Sequence, residues 1–503
     1  MIRALRNLAG WVALGFLTGL AGCSQAPEGS TGSAGRPLNV LWIWVDDLRP
    51  AGAAFEATDL PAPAIDRLAA SGVTFRQAFA QQALCAPSRA SVLSGLRPEA
   101  SRVFGLSDDY RDRHPDLVAL PQLFRQAGYR TLALGKVHHG RGQLDDPLAW
   151  SEAPWRPDAW QAHIGTPALR EQIEQVRQEK RSANSRFDPA FVVATDRSPQ
   201  GELLPDQQIA RRAAEELRGF GAEPFFLTVG FLKPHLPYVA PEQAWRAAEA
   251  FEADNPNRWL RDTPAPAGAH GYAFPPVAEP LAYADLAFDG RLSEEEQLRL
   301  QIGYRACVLY VDGLIGELLD ELERTGHTGD TVVVLCGDHG WHAGEQGHFG
   351  KDTLYDQATR VPLIVRVPGA PAGGVCERLV ELIDLYPSLA ELAGLKTPSH
   401  VQATSFVPLL EEPDRPWKTG AFSLVARSGE ANRRVLGKTV RTATERFVRW
   451  PDGGEERYKL EPGELELRSD LEAPGVERLR ALIERGWRAA QPAHRGVDQP
   501  RSR

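Results

Sequence analysis

The sequence predicts an α/β layered protein: a large, mostly parallel sheet flanked by helices, followed by a small antiparallel C-terminal subdomain. Three observations carry this. Short apolar runs without polar alternation recur along the chain: "LNVLWIWV" from Leu38 to Val45, "RTLALG", "PFFLTVGF" from Pro224 to Phe231, "TVVVLCG" from Thr331 to Gly337 and "PLIVRVP". Such runs fit strands buried on both faces. Amphipathic helical patterns lie between them, and strand–helix alternation is the signature of a parallel layered sheet. From about Leu395 the runs become short and β-like, as in "FSLVAR", "GKTVRTATERFVRW" and "ERYKL", and a helical stretch, "VERLRALIERGWRAA", closes them.

At the N-terminus, Arg3 and Arg6 precede an apolar run from Leu8 to Gly22, too short to span a bilayer comfortably. It ends in Leu20-Ala21-Gly22-Cys23, which resembles a bacterial lipobox. Residues 1–22 are therefore read as a lipoprotein signal peptide, with Cys23 acylated; an ordinary secretory signal is the alternative. Residues 23–37 are rich in Gly, Ser and Pro and read as a flexible tether with a reach of roughly 20 Å. The expected location is exported and lipid-anchored on a bacterial membrane, on the periplasmic or cell-surface side, with Ser24 favouring the outer membrane. Contact with the membrane is through the lipid only.

The next elements follow in order. "APAIDRLAASG", "LPQLFRQAGY" and "LPDQQIARRAAEELRGF" read as helices, and a long one opens at Ser293 with three glutamates behind it. Serine caps the exposed N–H groups there and the acids complement the helix dipole; Gly326 ends it. Residues 241–292 are rich in Pro and Ala and read as long surface loops. The segment 144–200 fits no clear pattern and is expected to build a pocket rim. A catalytic domain is placed at 38–395, the C-terminal subdomain at 396–490 and a disordered tail at 491–503.

With 503 residues, 43% hydrophobic and 24% charged, the composition is that of an ordinary globular protein. A net charge of −9 gives no field that would attract nucleic acid, so an anionic ligand needs a local basic cluster. Of five cysteines, Cys23 is assigned to lipid. Cys307 and Cys336 lie in apolar runs and read as buried small hydrophobes, and no spacing matches a zinc or disulfide framework. Cys85 differs: it opens a helical stretch, with Pro87 and Arg89 close behind.

Ligands of open α/β sheets bind beyond the carboxyl ends of the strands. Strand one is followed by Asp46 and Asp47, "TVVVLCG" by Asp338 and His339, "RTLALG" by Lys136, His138 and His139, and "PFFLTVGF" by Lys233 and His235. Crowded carboxylates favour a hard divalent cation held by oxygen, calcium or magnesium. Arg89, Lys136, His139, His235 and Lys351 read as donors around a tetrahedral oxyanion. His339, His342 and His348 in "DHGWHAGEQGHFGK" leave zinc as the less favoured alternative.

"CAPSRASVLSG", with "VDD" upstream and "GDHG" downstream, resembles the signature of the formylglycine-dependent (type I) sulfatases. "VDDLRP", "GKVHHG", "LKPHLPY", "DHGW" and "LYDQATRVPLIV" resemble the iduronate-2-sulfatase group in particular, over roughly residues 39–395. The resemblance implies an alkaline-phosphatase-like fold, Cys85 oxidised to Cα-formylglycine by a formylglycine-generating enzyme, and one Ca2+ held by Asp46, Asp47, Asp338, His339 and the modified Cys85. It further implies that the aldehyde hydrate attacks sulfur. Lys136 and His139 orient it and take its proton, while His235 and Lys351 hold the sulfate and assist the leaving oxygen. Arg89 lies near the metal and the diol. Trp341 and His138 are placed at the substrate pocket. The implied substrate is a sulfated sugar or polysaccharide, attacked from a chain end, with a uronate as one candidate. A phosphonate or phosphate ester hydrolase of the same superfamily is the alternative enzyme, and an unmodified lipoprotein binding sulfated polysaccharide the alternative without catalysis.

Overall fold

The computed structural model describes residues 37–139, 145–157, 191–194, 203–255, 263–276, 278–283, 292–429, 433–461 and 464–492, with positions 171 and 286. The signal peptide, Cys23, nearly all of the tether, most of the 144–200 segment and the tail beyond 492 lie outside the described residues. Among the described residues no helix is long and apolar enough to cross a membrane.

The predicted strands form five consecutive strands of one seven-stranded sheet, with "RTLALG" at its edge. In chain order these are β1 (Asn39–Val45), β2 (Val73–Phe75), β3 (Arg130–Gly135), β4 (Phe225–Phe231), β5 (Thr331–Gly337), β6 (Leu363–Arg366) and β7 (Gly374–Cys376), arranged β7-β2-β6-β5-β1-β4-β3. β1 pairs in parallel with both β4 and β5, and β3 with β4. β6 runs antiparallel to β5 and β2, so the "PLIVRVP" run is the exception to the parallel pattern. Alternation along β1 shows why these runs lack polar residues. Leu41, Ile43 and Val45 enter one apolar core, while Val40, Trp42 and Trp44 enter the core on the opposite face. Both faces are covered, as continuous hydrophobicity requires.

Helices α1 (Pro63–Ala70), α2 (Cys85–Ser94), α3 (Leu120–Gln126), α4 (Pro205–Gly219), α5 (Glu242–Asp254) and α6 (Glu294–Arg324) supply the layers. Ser293 caps α6 through a reciprocal pair: its hydroxyl accepts the Glu296 N–H while the Glu296 carboxylate accepts the Ser293 N–H. Gly326, at φ 78°, takes the left-handed conformation just past its end. α5 corrects the expectation of loops from residue 241. Trp245 and Ala248 bury one face of this helix, an i, i+3 pattern that the surrounding Pro- and Ala-rich composition concealed.

The C-terminal strands β8 (Ala421–Ser428), β9 (Arg434–Arg441), β10 (Glu445–Arg449) and β11 (Glu455–Lys459) form an antiparallel sheet, closed by α7 (Val476–Arg485). It is fastened to the segments that carry the site. Leu424 bridges to Gln82, and Arg427 pairs with Asp352 at 2.7 Å. The buried Glu456 accepts from Trp450 Nε1 at 2.8 Å and from the hydroxyls of Tyr355 and Tyr458. Three donors satisfy a carboxylate that would otherwise be costly to bury.

Candidate active site

The parallel strands β1, β3, β4 and β5 all end on one edge of the sheet, and the residues beyond them converge there. α2 enters the same place by its N-terminus. Leu84 precedes α2 in extended conformation with no side-chain cap, leaving the first N–H groups uncapped by a side chain. Pro87 is tolerated because its missing N–H falls in the first turn. Cys85, Ser88 and Arg89 stand at i, i+3 and i+4, hence on one face of the helix. Ser88 Oγ donates to the Asp338 carbonyl, and Arg89 Nε donates to Asp338 Oδ2 at 2.9 Å. Arg89 also reaches Asp46 Oδ1 at 3.1 Å and the carbonyls of Lys136 and Val137. It thus ties together the ends of β1, β3 and β5.

The approach of β3 to β4 depends on two glycines. A Cβ on Gly230 would lie 2.0 Å from the Lys136 carbonyl oxygen, and one on Gly135, at φ 73°, would lie 2.2 Å from the Gly230 carbonyl oxygen. Only glycine permits this contact. It brings Lys136 inward, where its ammonium donates to Asp46 and lies 3.7 Å from Cys85 Sγ.

Asp47 takes a left-handed conformation, φ 62°, that costs an ordinary residue about 1–3 kcal/mol. Tyr304 on α6 holds it by donating to its carbonyl at 2.8 Å. Asp338 Oδ1 accepts the N–H groups of Asp47 and His339, each at 3.0 Å. Lys351 donates to both oxygens of Asp47, at 2.9 and 3.0 Å. His235 Nε2 lies 4.0 Å from Asp47. The loop after β4 that presents it is fixed from both sides. Asp206 accepts the N–H groups of Leu232 and Lys233, and Lys233 Nζ donates to the carbonyls of His235 and Pro237.

Charge balance decides the protonation states. Burial raises the Asp46 carboxyl, but Lys136, His235 and Arg89 outweigh it and hold it well below the usual carboxylate range. Asp47 is pushed well above that range by burial, which Lys351 only partly offsets, with Asp46 and Glu279 adding to the rise. Burial and Asp46 push the Cys85 thiol far up, against Lys136 and Lys351. A thiolate nucleophile needs the opposite shift, so Cys85 as a plain thiol is protonated and unreactive at neutral pH. Lys136 is raised because Asp46 outweighs burial, and Lys351 because Asp47 does. Both remain ammonium ions.

His339 provides a test of whether a cation fits. Its Nδ1 lies 3.0 Å from the Gly340 carbonyl oxygen, a contact that requires the proton on Nδ1. Burial keeps the ring neutral, so Nε2 carries a lone pair. That lone pair faces Asp47 Oδ1 at 3.4 Å, Asp338 Oδ2 at 3.8 Å and Cys85 Sγ at 3.3 Å. Asp46, Asp47, Cys85 and His235 offer ligand atoms within 4.8 Å of one another, and so do Cys85, Asp338 and His339. A neutral imidazole nitrogen beside carboxylate oxygens is a donor set for a divalent cation, and the residues fit one. His342 and His348 stand apart from this set. They pack edge to face at 5.1 Å, with His342 Nε2 on Thr353 Oγ1 at 2.8 Å and His348 Nε2 on the Lys351 carbonyl at 3.3 Å.

The five expected metal ligands are therefore together, with Arg89, Lys136, His235 and Lys351 around them. His139 lies at the margin. Its Nδ1 meets the Leu106 carbonyl at 3.3 Å, while burial and Lys136 lower its pKa to about 3. Two expectations change. Trp341 does not wall an open pocket; it is buried, stacked under Tyr304 with the Lys351 ammonium 5.4 Å from its ring centroid. His138 is buried as the acceptor of the Trp150 indole N–H at 3.2 Å. Cys85 itself is buried. Asp206, Ser88, Tyr304 and Glu279 were missed. Their partners lie 26 to 257 residues away in sequence, and none forms a local motif.

Burial pushes His138 down to about 4, against an ordinary value of 6.5. The unfolded chain therefore binds a proton first as pH falls. His138 is expected to cost stability progressively from about pH 6.5 to about pH 4, at up to about 1.4 kcal/mol per pH unit. Thermal denaturation at pH 7 and pH 5 should show a smaller loss of Tm in His138→Phe than in the parent. An equal loss would place the titrating group elsewhere.

The comparisons with known proteins bear on this geometry. The family model described as "Sulfatase" matches residues 38–395. The chain belongs to the sulfatase family. Its relatives carry the names of sulfuric ester hydrolases. This sulfatase is 30% identical to iduronate 2-sulfatase of Mus musculus, an alignment covering 83% of this chain and 85% of that relative. Among solved structures, a protein in complex with its substrate D-glucosamine-2-N,6-O-disulfate aligns with TM-score 0.69 at 20% identity, covering 92% of this chain and 100% of the other. The phosphonate monoester hydrolase of Agrobacterium radiobacter aligns with TM-score 0.68 at 23% identity, over 90% and 96% of the two chains. At such identities the likeness establishes the fold, which is the expected sulfatase class.

Proposed function

We propose that this sulfatase hydrolyses sulfate esters of a sulfated glycan, using Cys85 after its conversion to Cα-formylglycine and a calcium ion held by Asp46, Asp47, Asp338, His339 and residue 85. The observation that carries this reading is the placement of Cys85 Sγ, 3.3 Å from His339 Nε2 and 3.7 Å from Lys136 Nζ. It lies at a helix N-terminus with no side-chain cap, where burial and Asp46 raise the thiol's pKa. A hydrated aldehyde at residue 85 supplies a hydroxyl nucleophile in place of that thiol. Calcium, when bound, would supply positive charge that favours the ionised form of such a hydroxyl and offsets the charge of a sulfate.

The chain's own groups do the rest. Lys136 orients the hydroxyl at residue 85 that attacks sulfur. His139, neutral and so able to accept a proton, takes one from the second hydroxyl, whereupon the bond from carbon to the sulfate oxygen breaks, sulfate leaves and the aldehyde returns. His235 and Lys351 bind sulfate oxygens, and His235 gives a proton to the departing sugar oxygen. Arg89 fixes Asp46 and Asp338 and keeps the cluster from relaxing. The names of the relatives make sulfated uronates and sulfated glucosamines the candidate substrates. Maturation requires a formylglycine-generating enzyme, and a lipid on Cys23 holds the mature protein to a bacterial membrane, on its periplasmic or cell-surface side.

The test is a matched pair of aryl sulfate and aryl phosphate esters. Purified protein is expected to favour the sulfate in kcat/KM by roughly 100-fold or more, about 3 kcal/mol in transition-state binding. Preference for the phosphate would support the phosphonate and phosphate hydrolase reading instead, which the second solved structure keeps in view. Glycan binding without turnover of either would support the lipoprotein reading.

A further inference from the structure

A fourth carboxylate stands at this site. Glu279 Oε2 lies 3.4 Å from Lys351 Nζ and Oε1 lies 3.7 Å from His235 Nε2. Lys351 already donates to both oxygens of Asp47 at shorter range. Both Glu279 distances exceed those of a good charged hydrogen bond, so the carboxylate keeps its capacity to accept others.

Exposure rises outward along this chain of contacts. The Asp47 side chain is 1% exposed, Lys351 7%, His235 16% and Glu279 27%. Glu279 therefore stands on the open side, over the pair assigned to the sulfate and its leaving oxygen. It begins a short 3-10 turn, Glu279–Ala282, with Pro280 next, and this turn packs directly on Gly350. A Cβ on Gly350 would lie 3.6 Å from Glu279 Cβ and 3.7 Å from its nitrogen. A fixed negative charge beside a site that must admit an anion weakens binding of that anion. Such a charge is retained where it discriminates between partners.

We propose that Glu279 is a specificity-determining residue: it selects sugar sulfates that carry hydrogen-bond donors, hydroxyl or ammonium, beside the ester, and rejects those that carry a carboxylate there. The proposal rests on the sulfatase reading above. An ionised carboxylate only accepts hydrogen bonds, so vicinal hydroxyl and amine groups are rewarded and a uronate carboxylate meets like charge. The substrate is then a hexosamine or neutral sugar sulfate rather than a uronate sulfate.

The test measures kcat/KM of the wild type, Glu279→Gln and Glu279→Asp on a hexosamine monosulfate with a free amine, a uronate monosulfate and an aryl sulfate. The wild type is expected to prefer the hexosamine ester. Glu279→Gln should shift the hexosamine-to-uronate ratio by at least about tenfold toward uronate, and Glu279→Asp should restore part of it. A ratio unchanged within about twofold, or an equal loss on both sugars, overturns the proposal, since a mere partner of Lys351 would lower both alike. Failure of the wild type to release sulfate from all three esters overturns the sulfatase reading and the proposal with it.

Discussion

Cys85→Ala is expected to fold normally and to lose at least about four orders of magnitude in turnover of sulfate esters. The loss is large because no neighbouring group can replace it. Lys136 and Lys351 are committed to Asp46 and Asp47 as ammonium ions, and Ser88 donates its hydroxyl to the Asp338 carbonyl. The fold survives because removal of one sulfur atom leaves a small void. At about 24 cal/mol per Å3 of cavity, the cost is about 1 kcal/mol, a shift in Tm of a few degrees at most. α2 itself is held by Arg89 and Ser88, which remain. Steady-state kinetics with thermal denaturation checks both halves. Activity within tenfold of the parent would mean that the nucleophile is another residue.

Exhaustive chelation is expected to lower turnover by at least about a thousandfold, with recovery on adding Ca2+. Sequence reasoning alone anticipates that Asp46, Asp47 and Asp338 would repel one another once a cation is removed. The structure corrects this. Asp46 is paired with Lys136 and Arg89, Asp338 with Arg89, and Asp47 with Lys351. The metal-free protein therefore keeps its fold and loses only the stability linked to binding, up to about 4 kcal/mol at a thousandfold excess of ion over Kd. Activity unchanged after chelation would remove the metal from the account, while unfolding on chelation would mean that the lysine and arginine pairs do not balance the carboxylates.

Much of the site was legible because a parallel sheet sends its ligands to one edge. Once "LNVLWIWV", "RTLALG", "PFFLTVGF" and "TVVVLCG" read as strands, Asp46, Lys136, His235 and Asp338 had to converge. The C-x-P-S-R spacing likewise put Cys85 and Arg89 on one helix face. Residues whose role comes from packing were not legible. Trp341 and His138 sit beside site residues in sequence and read as pocket lining. Only the structure shows one ring under Lys351 and the other held by Trp150. Asp206 and Glu279 face the site from elements with no sequence signal, since a carboxylate in a helix's first turn or in a Pro-rich turn usually faces solvent. α5 was missed for a related reason: Ala and Glu dominate its sequence, and only Trp245 marks the buried face.

The chemistry assigned here depends on residue 85 not being a thiol. Mass spectrometry of the peptide spanning Gln81 to Pro98, taken from protein made in a host that carries the maturation enzyme, tests this directly. Replacement of the thiol by an aldehyde oxygen is expected to lower the peptide mass by about 18 Da. A preparation that hydrolyses sulfate esters while every copy of Cys85 remains an unmodified thiol would contradict the account.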